Sequence, residues 1–84
     1  MELSRDDIYR RLTAYFEELF EIEPERVTLD TRLYEDLGLD SIDAVDLLSR
    51  VQDLAGRRLN PAEFKSVRTV GDIVDCVERL LAAL

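Results

Sequence analysis

Apolar residues recur at steps of three and four along most of the chain, and this spacing restricts its possible folds more than any other feature. A helix turns once every 3.6 residues, so such steps place apolar side chains on one helical face. Three long stretches show the pattern and predict helices over residues 4–20, 41–55 and 70–83. In the second, the predicted apolar stripe consists of residues at steps of three, widened by Ala44 and Leu47: Ile42, Val45, Leu48, Val51 and Leu54. Each helix alone would be marginal in water, because short helices gain most of their stability from packing. The sequence therefore predicts an all-α bundle.

Capping signals mark the ends of the predicted helices. Ser4 and Thr69 are each followed three positions later by an aspartate, which is the spacing of a capping box. Gly56 ends the second helix. The run "NPAEF", residues 60–64, has the asparagine, proline and glutamate that begin a helix, and it predicts a short third helix over 61–66. The predicted fold is a small four-helix bundle.

Residues 21–40 lose the helical period and contain Pro24 and Gly38, so they predict a long loop between the first two helices. A long loop in a small domain usually packs on the core or carries function. Four leucines in this loop favour packing: Leu29, Leu33, Leu37 and Leu39. No stretch rich in Pro, Gly and Ser divides the 84 residues, which predicts one domain over 1–84.

Composition excludes most enzyme chemistry. The chain has no histidine, which is the commonest general base, a frequent zinc ligand and the base of a serine triad. A domain of 84 residues is also too small for a deep catalytic cleft. We therefore expect a protein that is not an enzyme and that has no catalytic or metal-binding residues.

Charge indicates the kind of partner. Acidic residues outnumber basic ones 19 to 11, which gives a net charge of -8. This charge repels nucleic acid and anionic lipid, so we expect neither nucleic acid binding nor membrane insertion, and basic protein surfaces as partners. The first residues lack the apolar core of a signal peptide, and no apolar run approaches the length of a membrane span. We expect a cytoplasmic monomer.

The run "GLDSID", residues 38–43, places a serine at the predicted start of the second helix. One interpretation is capping, because Asp40 or Ser41 can accept hydrogen bonds from the free N–H groups, with Asp43 near the positive end of the helix dipole. A serine nucleophile would lack its base. Modification is another interpretation, since a phosphate ester at a helix N-terminus faces free N–H groups. The neighbouring aspartates would repel that phosphate, so the residues permit modification without requiring it.

A calcium loop is a further interpretation of the crowded aspartates. Counted from Asp36, such a loop needs an oxygen ligand at its third position and a glycine at its sixth. The chain has Gly38 and Ser41 at those positions. The pattern therefore does not favour a calcium site.

The run "EDLGLDSIDAVDL", residues 35–47, closely resembles the modification motif of acyl carrier proteins, and the likeness extends from about Leu33 to Leu81. The resemblance implies a four-helix carrier domain whose Ser41 bears 4′-phosphopantetheine, donated from coenzyme A by a phosphopantetheinyl transferase. It also implies that acyl groups held as thioesters are presented to enzymes of ketosynthase, acyltransferase, reductase and dehydratase type.

The resemblance also implies roles for further residues. Four acidic residues are expected to dock on basic patches of partner enzymes: Asp40, Asp43, Asp46 and Asp53. Five apolar residues are expected to contact the acyl chain: Leu33, Val45, Val51, Phe64 and Val67. Ordinary core packing is the other interpretation of these five. Arg50 and the basic residues Arg57, Arg58, Lys65 and Arg68 depart from the acidic pattern of the fatty-acid-type carriers, and such changes alter partner choice.

Two other functions fit the same residues. One is an unmodified acidic interaction module, in which Ser41 only caps its helix and Ser41→Ala would lower stability by about 1 kcal/mol. The other is a carrier of amino acids or aryl acids. Within the acyl carriers, the resemblance is compatible with fatty acid, polyketide and aryl polyene biosynthesis, and "DSIDAVDL" with "FKSVRT" resembles the aryl polyene carriers more.

Overall fold

The computed structural model of the protein describes residues 3–56, 58, 59, 62, 64 and 66–82. The described residues form three α-helices: α1 (Arg5–Phe20), α2 (Ser41–Ala55) and α3 (Val70–Ala82). A single 3₁₀ turn, Pro24–Arg26, lies in the loop between α1 and α2. The only β-type pairing in this part of the chain is an isolated bridge between Arg32 and Thr69. The all-α prediction is confirmed.

Half of the short helix predicted over 61–66 lies outside the described residues, which omit 61, 63 and 65. Ala62 and Phe64, which lie between them, are helical. The short helix and the total of four helices therefore stay predictions. None of the described helices combines the length and the apolar character needed to cross a membrane.

The capping predictions are confirmed at both outer helices. The Ser4 hydroxyl accepts from the Asp7 N–H at 3.1 Å, and the Asp7 carboxylate accepts from the Ser4 N–H at 3.1 Å. Thr69 and Asp72 make the same pair of bonds at 3.2 and 3.1 Å. Each helix start therefore has two of its free N–H groups satisfied by side chains.

The core lies between the three helices and the long loop. In α1, Ile8, Leu12 and Phe16 are fully buried at steps of four residues. The helix α3 contributes a wider set of buried residues: Val70, Ile73, Val74, Cys76 and Val77. The loop adds Ile22, Val27, Leu33 and Leu39 to the same cluster. Helices and loop thus share one hydrophobic core.

The face that α2 buries differs from the predicted one. Leu47, Val51 and Ala55 are buried, whereas Ile42 is 73% exposed and Val45 is 63% exposed. A helix advances by about 100° per residue, so each step of three residues falls about 60° short of a full turn. A run of such steps drifts around the helix, and its first members leave the core. The prediction that Ile42 and Val45 lie in the apolar core is wrong.

The long loop is fastened to the start of α3 by backbone hydrogen bonds. The N–H of Leu33 donates to the carbonyl of Arg68 at 2.9 Å, and the N–H of Val70 donates to Thr31 at 3.0 Å. The N–H of Gly71 donates to the carbonyl of Leu29 at 2.8 Å. We call these three bonds the loop clasp.

Three of the four loop leucines pack on the core. Leu33 and Leu39 are buried and Leu37 is partly buried. Leu29 turns its carbonyl toward α3, and its side chain is 44% exposed, so the prediction of packing is wrong for this residue. The buried leucines and the clasp together fix the loop that leads into α2.

Candidate functional site

The chain approaches Ser41 through a compact turn. Gly38 has a φ of 70°, a left-handed conformation that favours glycine, and its N–H donates to the carbonyl of Tyr34 at 3.1 Å. The N–H of Leu39 donates to Leu33 at 3.2 Å, and both leucine side chains are buried. With the turn anchored on the core, Asp40 and Ser41 lie at the surface.

Arg32 and Asp36 stabilise this turn. The Asp36 carboxylate accepts from the Arg32 backbone N–H at 2.7 Å and from its guanidinium at 3.1 and 3.3 Å. The hydrogen bond from the Arg32 side chain, followed by the one from its backbone, lowers the pKa of Asp36 below its usual value. The Asp36 carboxylate is therefore engaged in hydrogen bonds within the turn.

In the part of the chain that the structure describes, no group of three acidic or cysteine side chains is arranged to hold a metal ion.

Asp40 is the N-cap of α2. Its Oδ1 accepts from the Asp43 N–H at 2.9 Å, and the Asp43 Oδ2 accepts from the Asp40 N–H at 3.2 Å. These two bonds form a capping box, and Ser41 follows as the first helical residue. Of the two capping candidates in the sequence, Asp40 performs the role.

The Ser41 side chain is exposed at the end of the helix. Among the described residues its hydroxyl has no hydrogen-bond partner, and no acceptor takes the N–H groups of Ser41 and Ile42. These N–H groups lie at the positive end of the helix dipole, where anions are favoured. An exposed hydroxyl beside unpaired donors fits the attachment of a phosphate ester.

The four predicted docking acids are spread along α2. Asp40 and Asp43 flank Ser41, and Asp46 is exposed about one turn further on. Asp53 is exposed on nearly the same side as Asp46 but about 18 Å along the helix from Ser41, at a rise of 1.5 Å per residue. The structure therefore brings three of the acids close to Ser41 and leaves Asp53 at the far end.

Exposed apolar residues share this part of the surface. Ile42 follows Ser41 directly, and Val45 lies one turn above Ser41 on the helix. Sequence reasoning missed these two residues as surface groups because it assigned them to the core. A projection at 100° per residue would have found them, since it centres the buried face on Val51 and places Ile42 opposite.

Arg50 connects α2 to α1. Its Nη2 lies 3.4 Å from Glu18 Oε1, and its guanidinium carbon lies 5.9 Å from the centre of the Tyr15 ring. The cation therefore has both an acidic and an aromatic neighbour on α1. Of the basic residues at 57–68, Arg57 and Lys65 lie outside the described part of the chain.

The five residues expected to contact an acyl chain do not lie together. Four are buried in the common core: Leu33, Val51, Phe64 and Val67. Val45 is exposed for the geometric reason given above, so it lies apart from the other four. A role in contacting an acyl chain stays a prediction for all five residues. In this structure the other four pack as ordinary core residues.

The region around Ser41 and α2 is similar to that of known proteins. The family model described as "Phosphopantetheine attachment site" matches residues 10–77. This match includes the turn before Ser41, the whole of α2 and most of α3.

Individual relatives are similar over nearly the full chain. Acyl carrier protein 2 of Ralstonia nicotianae is 52% identical over 81 residues, which are 96% of this chain and all of that protein. The acyl carrier protein of Thermotoga maritima is 33% identical, with 93% of this chain and 96% of that protein covered. A crystal structure of an acyl carrier protein from Thermotoga maritima superposes with a TM-score of 0.82 at 26% identity, covering 94% of this chain and 92% of the other.

Proposed function

Since the chain belongs to the acyl carrier protein family, we propose that its Ser41 is the attachment point of 4′-phosphopantetheine. Members of this family carry acyl groups on phosphopantetheine and present them to biosynthetic enzymes, and a phosphopantetheinyl transferase modifies them. This protein is such a carrier. The proposal for Ser41 is supported chiefly by one observation. Its hydroxyl is exposed at the start of α2 and has no partner among the described residues.

The attachment step is a substitution at phosphorus. The Ser41 Oγ forms a bond to the phosphorus next to the pantetheine of coenzyme A, and the bond from that phosphorus to the bridging oxygen breaks. Adenosine 3′,5′-bisphosphate leaves. The hydroxyl proton passes to a general base of the transferase. The N–H groups of Ser41 and Ile42, which have no acceptor among the described residues, would be available to the phosphodiester.

When bound, the prosthetic group supplies a thiol that holds acyl groups as thioesters. The chain's own contribution is to hold that group at an exposed helix end, beside a capping box that fixes the local backbone. Tethering raises the concentration of the carried group at each enzyme that the carrier docks on.

Docking is the second part of the proposal. Asp40, Asp43 and Asp46 attract a basic patch on a partner, and Ile42 and Val45 supply apolar contact around the serine. We call these five residues the docking face. Asp53 contributes to long-range attraction more than to contact, because it lies at the other end of α2. Partners of this kind are the transferase and enzymes of ketosynthase, acyltransferase, reductase and dehydratase type.

The 84 residues act as one carrier domain, and the acyl groups belong to fatty acid, polyketide or aryl polyene type biosynthesis. Mass spectrometry of the protein isolated from its native cell measures the carried group. An amino acid or an aryl acid on the thiol would instead support the alternative carrier function.

The attachment proposal is tested by intact mass. The protein is incubated with coenzyme A and a phosphopantetheinyl transferase of broad specificity, and we expect the mass to rise by one phosphopantetheine. Ser41→Ala should abolish the gain. Ser49→Ala is the matched control, because Ser49 is also an exposed serine of α2, and it should leave the gain intact. A gain that persists in Ser41→Ala would disprove the assignment.

A further inference from the structure

We propose that Tyr15 and Glu18 of α1 hold Arg50 away from the acidic side of α2, so that Asp46 and Asp53 stay free for a basic partner. Tyr15 and Glu18 are then positioning residues that act through Arg50. The inference rests on the proposed docking of basic partners on α2.

The sequence gives Arg50 two acidic neighbours on its own helix. Asp46 precedes it by four residues and Asp53 follows it by three, and both spacings bring side chains together on a helix. An acid four residues before a base is the favourable order for such a pair. Local spacing alone would therefore pair Arg50 with the acids of α2.

The structure shows a different pairing. Arg50 reaches across to Glu18 at 3.4 Å and lies beside the Tyr15 ring at 5.9 Å. In the described part of the chain, neither Asp46 nor Asp53 has an ion pair. The positive charge that could neutralise them is turned toward α1.

The Tyr15 ring accounts for this direction. The Arg50 and Glu18 side chains are 39% and 62% exposed, so their ion pair is a weak surface pair. A pair between Arg50 and the exposed Asp46 would be about equally weak, so the ion pair alone does not explain the choice of Glu18. The Tyr15 ring lies 5.9 Å from the guanidinium carbon, and an aromatic face adds an attraction to this one of the two arrangements. Removing either Glu18 or the ring should let Arg50 turn back to the acids of α2.

Such a rearrangement would weaken docking without changing the attachment chemistry. A partner's basic patch would meet acids that are already paired with Arg50, and it would have to displace that arginine. The expected change is a higher KM of the partner for this carrier with an unchanged kcat.

The experiment is a double-mutant cycle on Glu18 and Arg50. A phosphopantetheinyl transferase and coenzyme A modify the apo protein, and intact mass follows the initial rate for wild type, Glu18→Gln, Arg50→Gln and the double variant. At an ionic strength of about 0.01 M, where charges act over about 30 Å, Glu18→Gln should raise KM about two- to fivefold, the factor that matches an exposed ion pair. In the Arg50→Gln background the same change should leave KM unaltered. The rise should vanish in about 1 M salt.

Equal effects of Glu18→Gln with and without Arg50 would overturn the inference, because Glu18 would then act on the partner directly. An unchanged KM in Glu18→Gln would overturn it as well. Tyr15→Leu should behave as Glu18→Gln does, and Tyr15→Phe, which keeps the ring, should behave as wild type. Thermal unfolding of each variant shows whether the fold is intact.

Asp46→Asn separates this inference from the proposed function. It should raise KM in the same assay. If it does not, the docking face is wrong and the inference falls with it. If Asp46→Asn raises KM but the cycle is additive, only the role of Tyr15 and Glu18 is disproved. If wild type gains no mass, the attachment site itself is wrong.

Discussion

At the start of α2, the capping residue Asp40 and the proposed attachment residue Ser41 are neighbours. The Asp40 carboxylate accepts from the Asp43 N–H, so the helix does not need the Ser41 hydroxyl for its own stability. A side chain that serves as a cap would lose that role on esterification, whereas Ser41 has no such role to lose. An interaction module in which Ser41 serves only as a cap has no support in this geometry.

A pair of alanine variants tests this division at the level of unfolding free energy. Asp40→Ala should lower it by about 1 kcal/mol, because the Asp43 N–H loses its acceptor. Ser41→Ala should change it by less than about 0.5 kcal/mol, since an exposed residue whose hydroxyl has no partner among the described residues is replaced by a good helix former. Urea unfolding of the apo protein measures both. A loss in Ser41→Ala as large as that in Asp40→Ala would contradict the assignment of the cap.

At the scale of the elements, helix bounds follow from local signals and were predictable. The capping box at Ser4 and the glycine at 56 act within one or two turns, so α1 and α2 begin and end within a residue or so of their predicted bounds. The buried face of α2 was predicted incorrectly. The stripe at steps of three includes the buried Val51, but it rotates around the helix and reaches the exposed side at Ile42. Finding that face requires the neighbouring helices or an angular projection.

Contacts between elements could not be predicted from the sequence. Arg50 has acidic neighbours three and four positions away, yet it pairs with Glu18, which is 32 positions away. Local spacing carries no information about such a partner. The loop clasp is similar, since it is formed by backbone N–H and carbonyl groups, which nearly all residue types share.

Gly71→Ala tests the loop clasp. A Cβ on Gly71 would lie 3.0 Å from the Leu29 carbonyl oxygen, which the Gly71 N–H also binds at 2.8 Å. Alanine favours the helix by about 1 kcal/mol over glycine, but the contact forces the loop carbonyl away. We expect faster amide hydrogen exchange at residue 71 and at the N–H groups of Val70 and Leu33.

Gly56→Ala is the matched control for that variant. Gly56 has a φ of 67° and no atom within 4 Å of an added Cβ, so alanine there strains the backbone without touching the loop. It should lower the unfolding free energy by about 1 kcal/mol and leave the exchange of the clasp unaltered. Unchanged exchange in Gly71→Ala would show that the clasp tolerates a side chain.

At the scale of the whole molecule, acidification has two opposite effects on the stability of a protein whose net charge is -8. Repulsion among the acids disfavours the compact state, and it weakens as acid protonates them. Three aspartates act in the opposite direction. Hydrogen bonds from Ser4 lower the pKa of Asp7, those from Arg32 lower the pKa of Asp36, and those from the N–H groups of Arg68 and Thr69 lower the pKa of Asp72.

The sign of these three shifts sets the expected pH dependence. A carboxyl whose pKa is lower in the folded state binds protons more readily when unfolded, so it stabilises the fold above its ordinary value of 3.8. That stability is lost as the pH falls below 3.8 and through the lowered value. Urea unfolding at a series of pH values should therefore show little loss of unfolding free energy down to about pH 4 and a steep loss below it.

Asp72→Asn should be less stable than wild type at neutral pH and should lose less stability on acidification, because asparagine does not titrate. Asp46→Asn, which removes an exposed carboxylate without an ion pair among the described residues, should keep the steep acid limb. Parallel curves for Asp72→Asn and wild type would show that the bonds from Arg68 and Thr69 do not lower the pKa of Asp72.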